Sequence, residues 1–284
     1  DNRFESELFF KCENFQKAGS FKSRGAINTV FSLNEPEVLK GVATHSSGNH
    51  AQALARAAAL RKIPAYIVMP DNAPLVKIDA VRGYGGVITF CKPTLEARKS
   101  TLKQVIAETH AVEIHPYDNL KVIEGQATTA MELLEEQPAL DIILCPVGGG
   151  GLLSGTALSA HYFSPATRVI ACEPAGADDA FRSFKSGKFV PSVHPRTIAD
   201  GLLTSLGKLT FPIISEFVDD IVTVEEKSIT EVMRMIFERM KIVVEPSSAV
   251  PLAAILEGKI GVKGKRIGII LSGGNVDLNH LPWQ

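Results

Sequence analysis

The amino-acid sequence predicts an α/β fold built on parallel sheets. Three features lead there: short, uniformly apolar runs recur along the chain, stretches with helical spacing separate them, and glycine-rich turns follow several of the runs. In chain order the first strand is Glu7-Leu-Phe-Phe-Lys-Cys-Glu13. Further strands are Pro64 to Met69, Gly86 to Cys91, Asp141 to Val147, Arg168 to Cys172, Asp220 to Val224 and Arg266 to Leu271. Runs this apolar belong to strands covered on both faces, hence to parallel sheets with helices packed on either side. Gln52 to Leu60, Ala97 to Thr109, Gly125 to Glu136 and Ile229 to Met240 are amphipathic or alanine-rich and of a length suited to crossover helices. The pattern is doubly wound, with no repeat, low-complexity tract or long linker.

The totals bound the function. At 284 residues and 45% hydrophobic composition the chain can bury a large core and exceeds the usual single-domain size, so two lobes are expected. Thirty basic residues against 31 acidic ones leave a net charge of -1, without the footprint of a nucleic-acid or anionic-membrane binder. Small molecules are the expected partners. No apolar run is long enough to cross a bilayer, so a soluble protein is expected. Cys12, Cys91, Cys145 and Cys172 are widely spaced and form no C-x-x-C pair, which points away from zinc and disulfides and toward a reducing cytoplasm. The chain enters a strand almost at once from Asp1, without an initiator Met, so an N-terminal piece is expected to be missing.

In open α/β sheets ligands bind beyond the carboxyl ends of the strands, and three loops there draw the eye. Cys145-Pro-Val-Gly148-Gly149-Gly150-Gly151-Leu-Leu-Ser154-Gly155 joins a buried strand to a helix. Four glycines let backbone approach an anion closely, and the helix N-terminus offers it N–H groups, so a phosphate cradle is predicted; a merely tight turn is the alternative. The run is neither a Walker A loop nor a G-x-G-x-x-G fingerprint. Thr44-His45-Ser46-Ser47-Gly48-Asn49-His50-Ala51 offers hydroxyls, an amide and a helix N-terminus, which suit a carboxylate, although Ser and Asn also serve as plain caps. Ile270-Leu271-Ser272-Gly273-Gly274-Asn275 ends the last strand in a hydroxyl and a Gly-Gly turn.

Upstream of all three lies Gly19-Ser20-Phe21-Lys22-Ser23-Arg24-Gly25-Ala26. This lysine motif, then Ser46-x-Gly48-Asn49-His50, then the glycine quartet, then Ser272-Gly273-Gly274-Asn275, in that order and across essentially the whole chain, resembles the fold-type II pyridoxal-phosphate enzymes of the serine racemase and threonine/serine dehydratase group. The resemblance implies a tryptophan synthase beta-like fold: a large cofactor-binding domain over residues 1–40 and 119–284, interrupted by a small mobile domain over 41–118. It implies that Lys22 carries pyridoxal 5'-phosphate as a Schiff base, that Gly148 to Gly151 hold its phosphate, that Asn49 bonds the ring hydroxyl, that Ser272 faces the ring nitrogen and that Phe21 packs nearby. A neutral hydroxyl at that nitrogen does not hold it protonated as a carboxylate would, which makes the ring a weaker electron sink.

Two outcomes compete once a Cα proton is removed. Inversion needs a second acid/base opposite Lys22, and elimination of a β-hydroxyl leads from serine to pyruvate and ammonia. Ser47 favours the racemase, because the resembled racemases carry Ser where many dehydratases carry Ala. Ser46, Ser47, Asn49, His50 and Arg98 are the implied substrate contacts, with serine or threonine as substrate; for His50 packing, and for Arg98 a solvated helix face, stand as alternatives. Glu173-Pro-Ala-Gly-Ala177-Asp-Asp179 matches a divalent cation site of serine racemases, where two carboxylates and the Ala177 carbonyl would suit Mg, Mn or Ca; a capped helix start is the alternative. Lys17, Gln52, Tyr84, Lys241 and Asn275 resemble part of the site at which animal serine racemases bind ATP between two subunits, which implies a homodimer. The rival functions are a stand-alone dehydratase for serine, threonine or 3-hydroxyaspartate and, from another class, a non-catalytic amino-acid or nucleotide sensor.

Overall fold

The computed structural model describes residues 4–73 and 75–284. In chain order its elements are β1 (Glu7–Cys12), α1 (Lys22–Phe31), α2 (Glu35–Val38), β2 (Val42–His45), α3 (Asn49–Arg61), β3 (Ala65–Pro70), α4 (Leu75–Gly83), β4 (Val87–Cys91), α5 (Leu95–Thr109), β5 (Val112–Glu113) and α6 (Leu120–Glu136). There follow β6 (Ile142–Pro146), α7 (Gly151–Phe163), β7 (Arg168–Pro174), α8 (Asp179–Ser186), α9 (Thr210–Phe217), β8 (Asp220–Val224), α10 (Glu226–Met240), α11 (Pro246–Leu256) and β9 (Arg266–Leu271). Each predicted apolar run holds a strand. The short β5 went unnoticed because two residues carry no periodic signal.

The chain divides into two compact units, Asp1–Phe21 with Gln126–Gln284, and Lys22–Gly125. The small domain expected over 41–118 lies inside the second unit, which also takes in α1, α2 and the start of α6. Helix α1 belongs there because it packs along α3, where the Arg61 guanidinium bonds the carbonyls of Val30 and Leu33.

The first unit is built on a five-stranded sheet in the order β1-β9-β6-β7-β8, parallel throughout. Alternation along β6 explains why its sequence is apolar without a break. Ile142 and Leu144 pack with residues of α10 and α11 such as Val232 and Ala253, while Ile143 and Cys145 join Leu153 of α7 and Ile214 of α9. The second unit holds a four-stranded parallel sheet, β4-β3-β2-β5, with β3 buried at its centre and β4 exposed at its edge. In both units the loops of interest leave the carboxyl ends of parallel strands.

Candidate active site

In the second unit Lys22 opens α1, and its Nζ donates to the Pro116 carbonyl at 2.7 Å. The turn that presents this carbonyl is fixed by His115, whose Nδ1 accepts the amides of Asp118 at 2.9 Å and Tyr117 at 3.4 Å. Burial drives the His115 pKa down to about 4, with Lys22 and Lys99 adding to the effect and Asp118 opposing it. A neutral ring is what an accepting Nδ1 requires.

The Ser46–Gly48 loop joins β2 to α3. Ser46 Oγ accepts the Gly48 amide at 3.3 Å, Ser46, Ser47 and Asn49 are all half-buried, and α3 starts without a side-chain cap. An uncapped helix start is suited to a carboxylate. His50 takes the packing alternative: its side chain is 2% exposed, and Nε2 meets the Ile114 carbonyl at 3.1 Å. Burial, reinforced by Lys22, lowers its pKa to about 3. The His50 ring is therefore engaged in the core. Arg98 on α5 is half-buried and its Nε is buried without a hydrogen-bond partner. Burial first, then Arg98 and Lys99, lower the pKa of His45, so the end of β2 lies in positive potential.

In the first unit the quartet follows β6. Gly150 has φ +89, and a Cβ there would come within 2.9 Å of Thr210 and 2.8 Å of Ile214, while one on Gly148 would lie 2.9 Å from the Leu202 Cα. Glycine is thus required by conformation and by space. Thr210 Oγ1 donates to the Gly149 carbonyl at 2.8 Å and accepts the Gly207 amide at 2.7 Å, holding the loop from behind. Helix α7 has no side-chain cap, and Ser154 Oγ in its first turn is buried without a partner. These features fit a phosphate group: flush backbone, an uncapped helix start and an unsatisfied hydroxyl.

The chain that leads into Lys22 is pinned to the loop after β9. Phe21 donates its amide to the Ser272 carbonyl at 3.0 Å, Ser20 bridges to Gly273, and the Gly274 amide reaches the Gly19 carbonyl at 2.9 Å. The Phe21 ring joins the cluster around α7 and α9. Ser272 is buried, and its Oγ lies 3.2 Å from Ser248 Oγ.

Glu173 and Asp179 are both buried. Glu173 accepts the amides of Ala180 at 3.0 Å and Phe181 at 2.8 Å, so it does cap α8, yet burial pushes its pKa up to about 8. Burial raises Asp179 to about 6; the Ser192 hydroxyl pulls it back, but neither carboxylate oxygen has a partner in hydrogen-bonding geometry. Ala177 is buried in the turn between them. Two desolvated acids, one unsatisfied, suit a hard cation, although the described residues contain no group of three or more His, Cys, Asp or Glu able to hold one. Of the residues that resemble a nucleotide site, Lys17 and Lys241 are exposed, Gln52 is buried on α3, Tyr84 is half-buried and Asn275 donates to the Ala18 carbonyl at 2.8 Å.

Sequence reading missed Pro116, Thr210 and Ser248. The first two have no local signature, since they act on residues 94 and 61 positions away. Ser248 lies in Glu245-Pro-Ser-Ser-Ala, a helix start whose hydroxyls could have been noticed as more than caps.

A lysine opening a helix, a glycine cradle at another helix start and a hydroxyl after the last strand define, on parallel α/β sheets, a fold-type II pyridoxal-phosphate enzyme. The family model for pyridoxal-phosphate dependent enzymes matches residues 1–273. The chain is 55% identical over 280 residues to a serine racemase of Dictyostelium discoideum, covering 97% of this chain and 86% of that protein. It is 52% identical to a beta-hydroxyaspartate dehydratase of Paracoccus denitrificans, covering 98% and 89%. The crystal structure of the Dictyostelium serine racemase superimposes with a TM-score of 0.93 at 54% identity, over 98% of this chain and 90% of that one. The chain belongs to the pyridoxal-phosphate-dependent enzymes, in the group that contains serine racemases and hydroxy-amino-acid dehydratases.

Proposed function

We propose that this protein interconverts L- and D-serine and, alongside, converts serine to pyruvate and ammonia. When bound, pyridoxal phosphate supplies an aldehyde for Lys22 and a ring that withdraws electrons from Cα. The chain supplies the rest. Gly148 to Gly151 and the start of α7 bind the phosphate, and Ser46, Asn49 and the uncapped end of α3 take the substrate carboxylate. Lys22 Nζ takes the Cα proton on one face and keeps it, and Ser47 Oγ gives its own proton to Cα on the other, the two roles exchanging in the reverse direction. What carries the racemase is Ser47 itself, a half-buried hydroxyl before α3 at the position where the resembled racemases carry serine. Relatives named serine racemase support it.

Arg98 favours a second reading, dehydration of 3-hydroxyaspartate, because its buried, unpartnered Nε offers a second carboxylate a site and one relative carries that activity in its name. One experiment separates them: each serine enantiomer and 3-hydroxyaspartate are supplied in turn, and the opposite enantiomer and the keto acid are measured together. Formation of D-serine from L-serine is expected. Keto acid from 3-hydroxyaspartate with no inversion of serine would replace the racemase by the dehydratase.

The same reading includes Mg, Mn or Ca at Glu173, Ala177 and Asp179, supported by the unsatisfied Asp179. It includes a mobile segment over 41–118, a homodimer with ATP near Lys17, Gln52, Tyr84, Lys241 and Asn275, supported by sequence resemblance, and a cytoplasmic setting that suits four free cysteines. No helix among the described residues is long and apolar enough to cross a membrane.

A further inference from the structure

The Gly149–Gly150 peptide is pinned by a side chain from α9. Thr210, the first residue of that helix, is 0% exposed, and its Oγ1 lies 2.8 Å from the Gly149 carbonyl and 2.7 Å from the Gly207 amide. A carbonyl can only accept and an amide can only donate, so the partners fix both roles of the hydroxyl: it gives its proton to Gly149 and accepts that of Gly207. The Gly207 carbonyl, at 3.5 Å, is too distant to compete for the proton. The Gly149–Gly150 peptide is trans, so its C=O and its N–H point in opposite directions. With the carbonyl turned back to Thr210, the Gly150 N–H faces the front of the loop. That N–H is buried and meets no acceptor among the described residues. A buried N–H without a partner is costly, and a ligand oxygen would satisfy it.

We infer that Thr210 is a positioning residue for the cofactor's phosphate, holding the Gly150 amide toward that group. This rests on the reading that places the phosphate in the glycine quartet. Glycine on both sides leaves the peptide free to turn over, since neither residue has a Cβ to oppose the change. A turned peptide would aim the Gly149 carbonyl, a negative dipole end, at the place where an anion binds. Thr210 opposes this twice. Its proton holds the carbonyl, and its Cβ and Oγ1 stand 2.9 Å from where a Cβ of Gly150 would lie, directly behind the loop. Its own orientation is fixed in turn by the Gly207 amide and by the stiffness of a β-branched side chain. A hydroxyl that merely closed the turn from Gly207 to Thr210 would contribute to stability without distinguishing a ligand that carries a phosphate from one that does not.

The test compares pyridoxal phosphate with pyridoxal, which lacks the phosphate, each titrated by absorbance into the full chain freed of cofactor. Thr210→Val keeps the shape of the side chain and removes both hydrogen bonds. It is expected to raise the dissociation constant of pyridoxal phosphate roughly tenfold, the worth of about one hydrogen bond, and to leave that of pyridoxal unchanged. Thr210→Ser keeps the hydroxyl and is expected to bind both ligands as the wild type does. The phosphorus NMR signal of the bound cofactor should move in Thr210→Val and return in Thr210→Ser. Should Thr210→Val fail to fold because the Gly207 amide loses its acceptor, Thr210→Cys keeps a small side chain with a much weaker donor, and the same selective loss is expected of it. Equal weakening of both ligands in the variant that folds, or of neither, overturns the role of Thr210. A wild type that binds pyridoxal as tightly as pyridoxal phosphate removes the phosphate from the glycine quartet, and the inference falls with that reading whatever the variants do.

Discussion

Lys22 and Ser47 divide the proposed chemistry between two proton carriers, and removing each leaves a different signature. Ser47→Ala is expected to lower racemisation by about 10²–10⁴-fold, the usual worth of a positioned acid/base, while pyruvate still forms from L-serine; chiral chromatography beside a keto-acid assay reads both. Inversion at the wild-type rate in that variant would pass the second face to another group. Lys22→Ala is expected to lose both products and to leave no borohydride-fixed label on the chain. Asp179 belongs to a different experiment. Its oxygens are buried and unpaired, so millimolar Mg should raise the melting temperature of the wild type, and Asp179→Asn should abolish that rise. An unchanged response would leave Glu173 as the cap of α8 and nothing more. These residues were legible because each stands in a short motif. Ser248 was not, since its hydroxyl meets a carbonyl and a hydroxyl about 25 residues away.

The elements were read well wherever periodicity or composition speaks, and poorly where tertiary contact decides. The buried strands β3, β6, β7 and β9 announce themselves by unbroken apolar runs, whereas α11 carries Pro251 within it, a residue that argues against a helix interior on propensity alone. Helix α1 is polar enough to pass for loop, and its place is set by packing. Its Gly25 meets Gly125 of α6 so closely that a Cβ on Gly125 would lie 2.5 Å from the Gly25 Cα and 2.7 Å from the Arg24 carbonyl. Both obstacles are backbone and cannot swing aside. Gly125→Ala should therefore cost about 1–3 kcal/mol, which for a chain of this size lowers the melting temperature by roughly 2–10 °C. It should also disturb cofactor binding, because Lys22 is one turn from Gly25 on the same helix. A variant as stable as the wild type would mean that the two helices can separate at little cost.

At the scale of the whole molecule, folding holds two imidazoles neutral that the unfolded chain would protonate. His50 is lowered to about 3 and His115 to about 4 from an unperturbed 6.5, chiefly by burial. A base with a depressed folded pKa favours the unfolded state once that state binds the proton, so stability is intact above about 6.5 and falls as the pH drops toward 4. The slope is about 1.4 kcal/mol per pH unit for each group. Glu173 and Asp179, raised to about 8 and 6 by burial, act in the opposite sense, losing stability as the pH rises from their unfolded values. The histidine contribution is therefore best read as a difference, in which the acids cancel. His50→Gln keeps a donor for the Ile114 carbonyl and cannot titrate. Its urea midpoint should fall less steeply than that of the wild type between pH 6.5 and 5, by about one proton per molecule, and equal slopes would mean that His50 is reached by water before unfolding. His115 has a local consequence as well. Protonating its Nδ1 removes the acceptor for the amides of Tyr117 and Asp118, and with it the turn whose Pro116 carbonyl receives Lys22. Acid should thus loosen the seat of Lys22 before it unfolds the chain, and hydrogen exchange at the Asp118 amide should accelerate at a higher pH than the global transition.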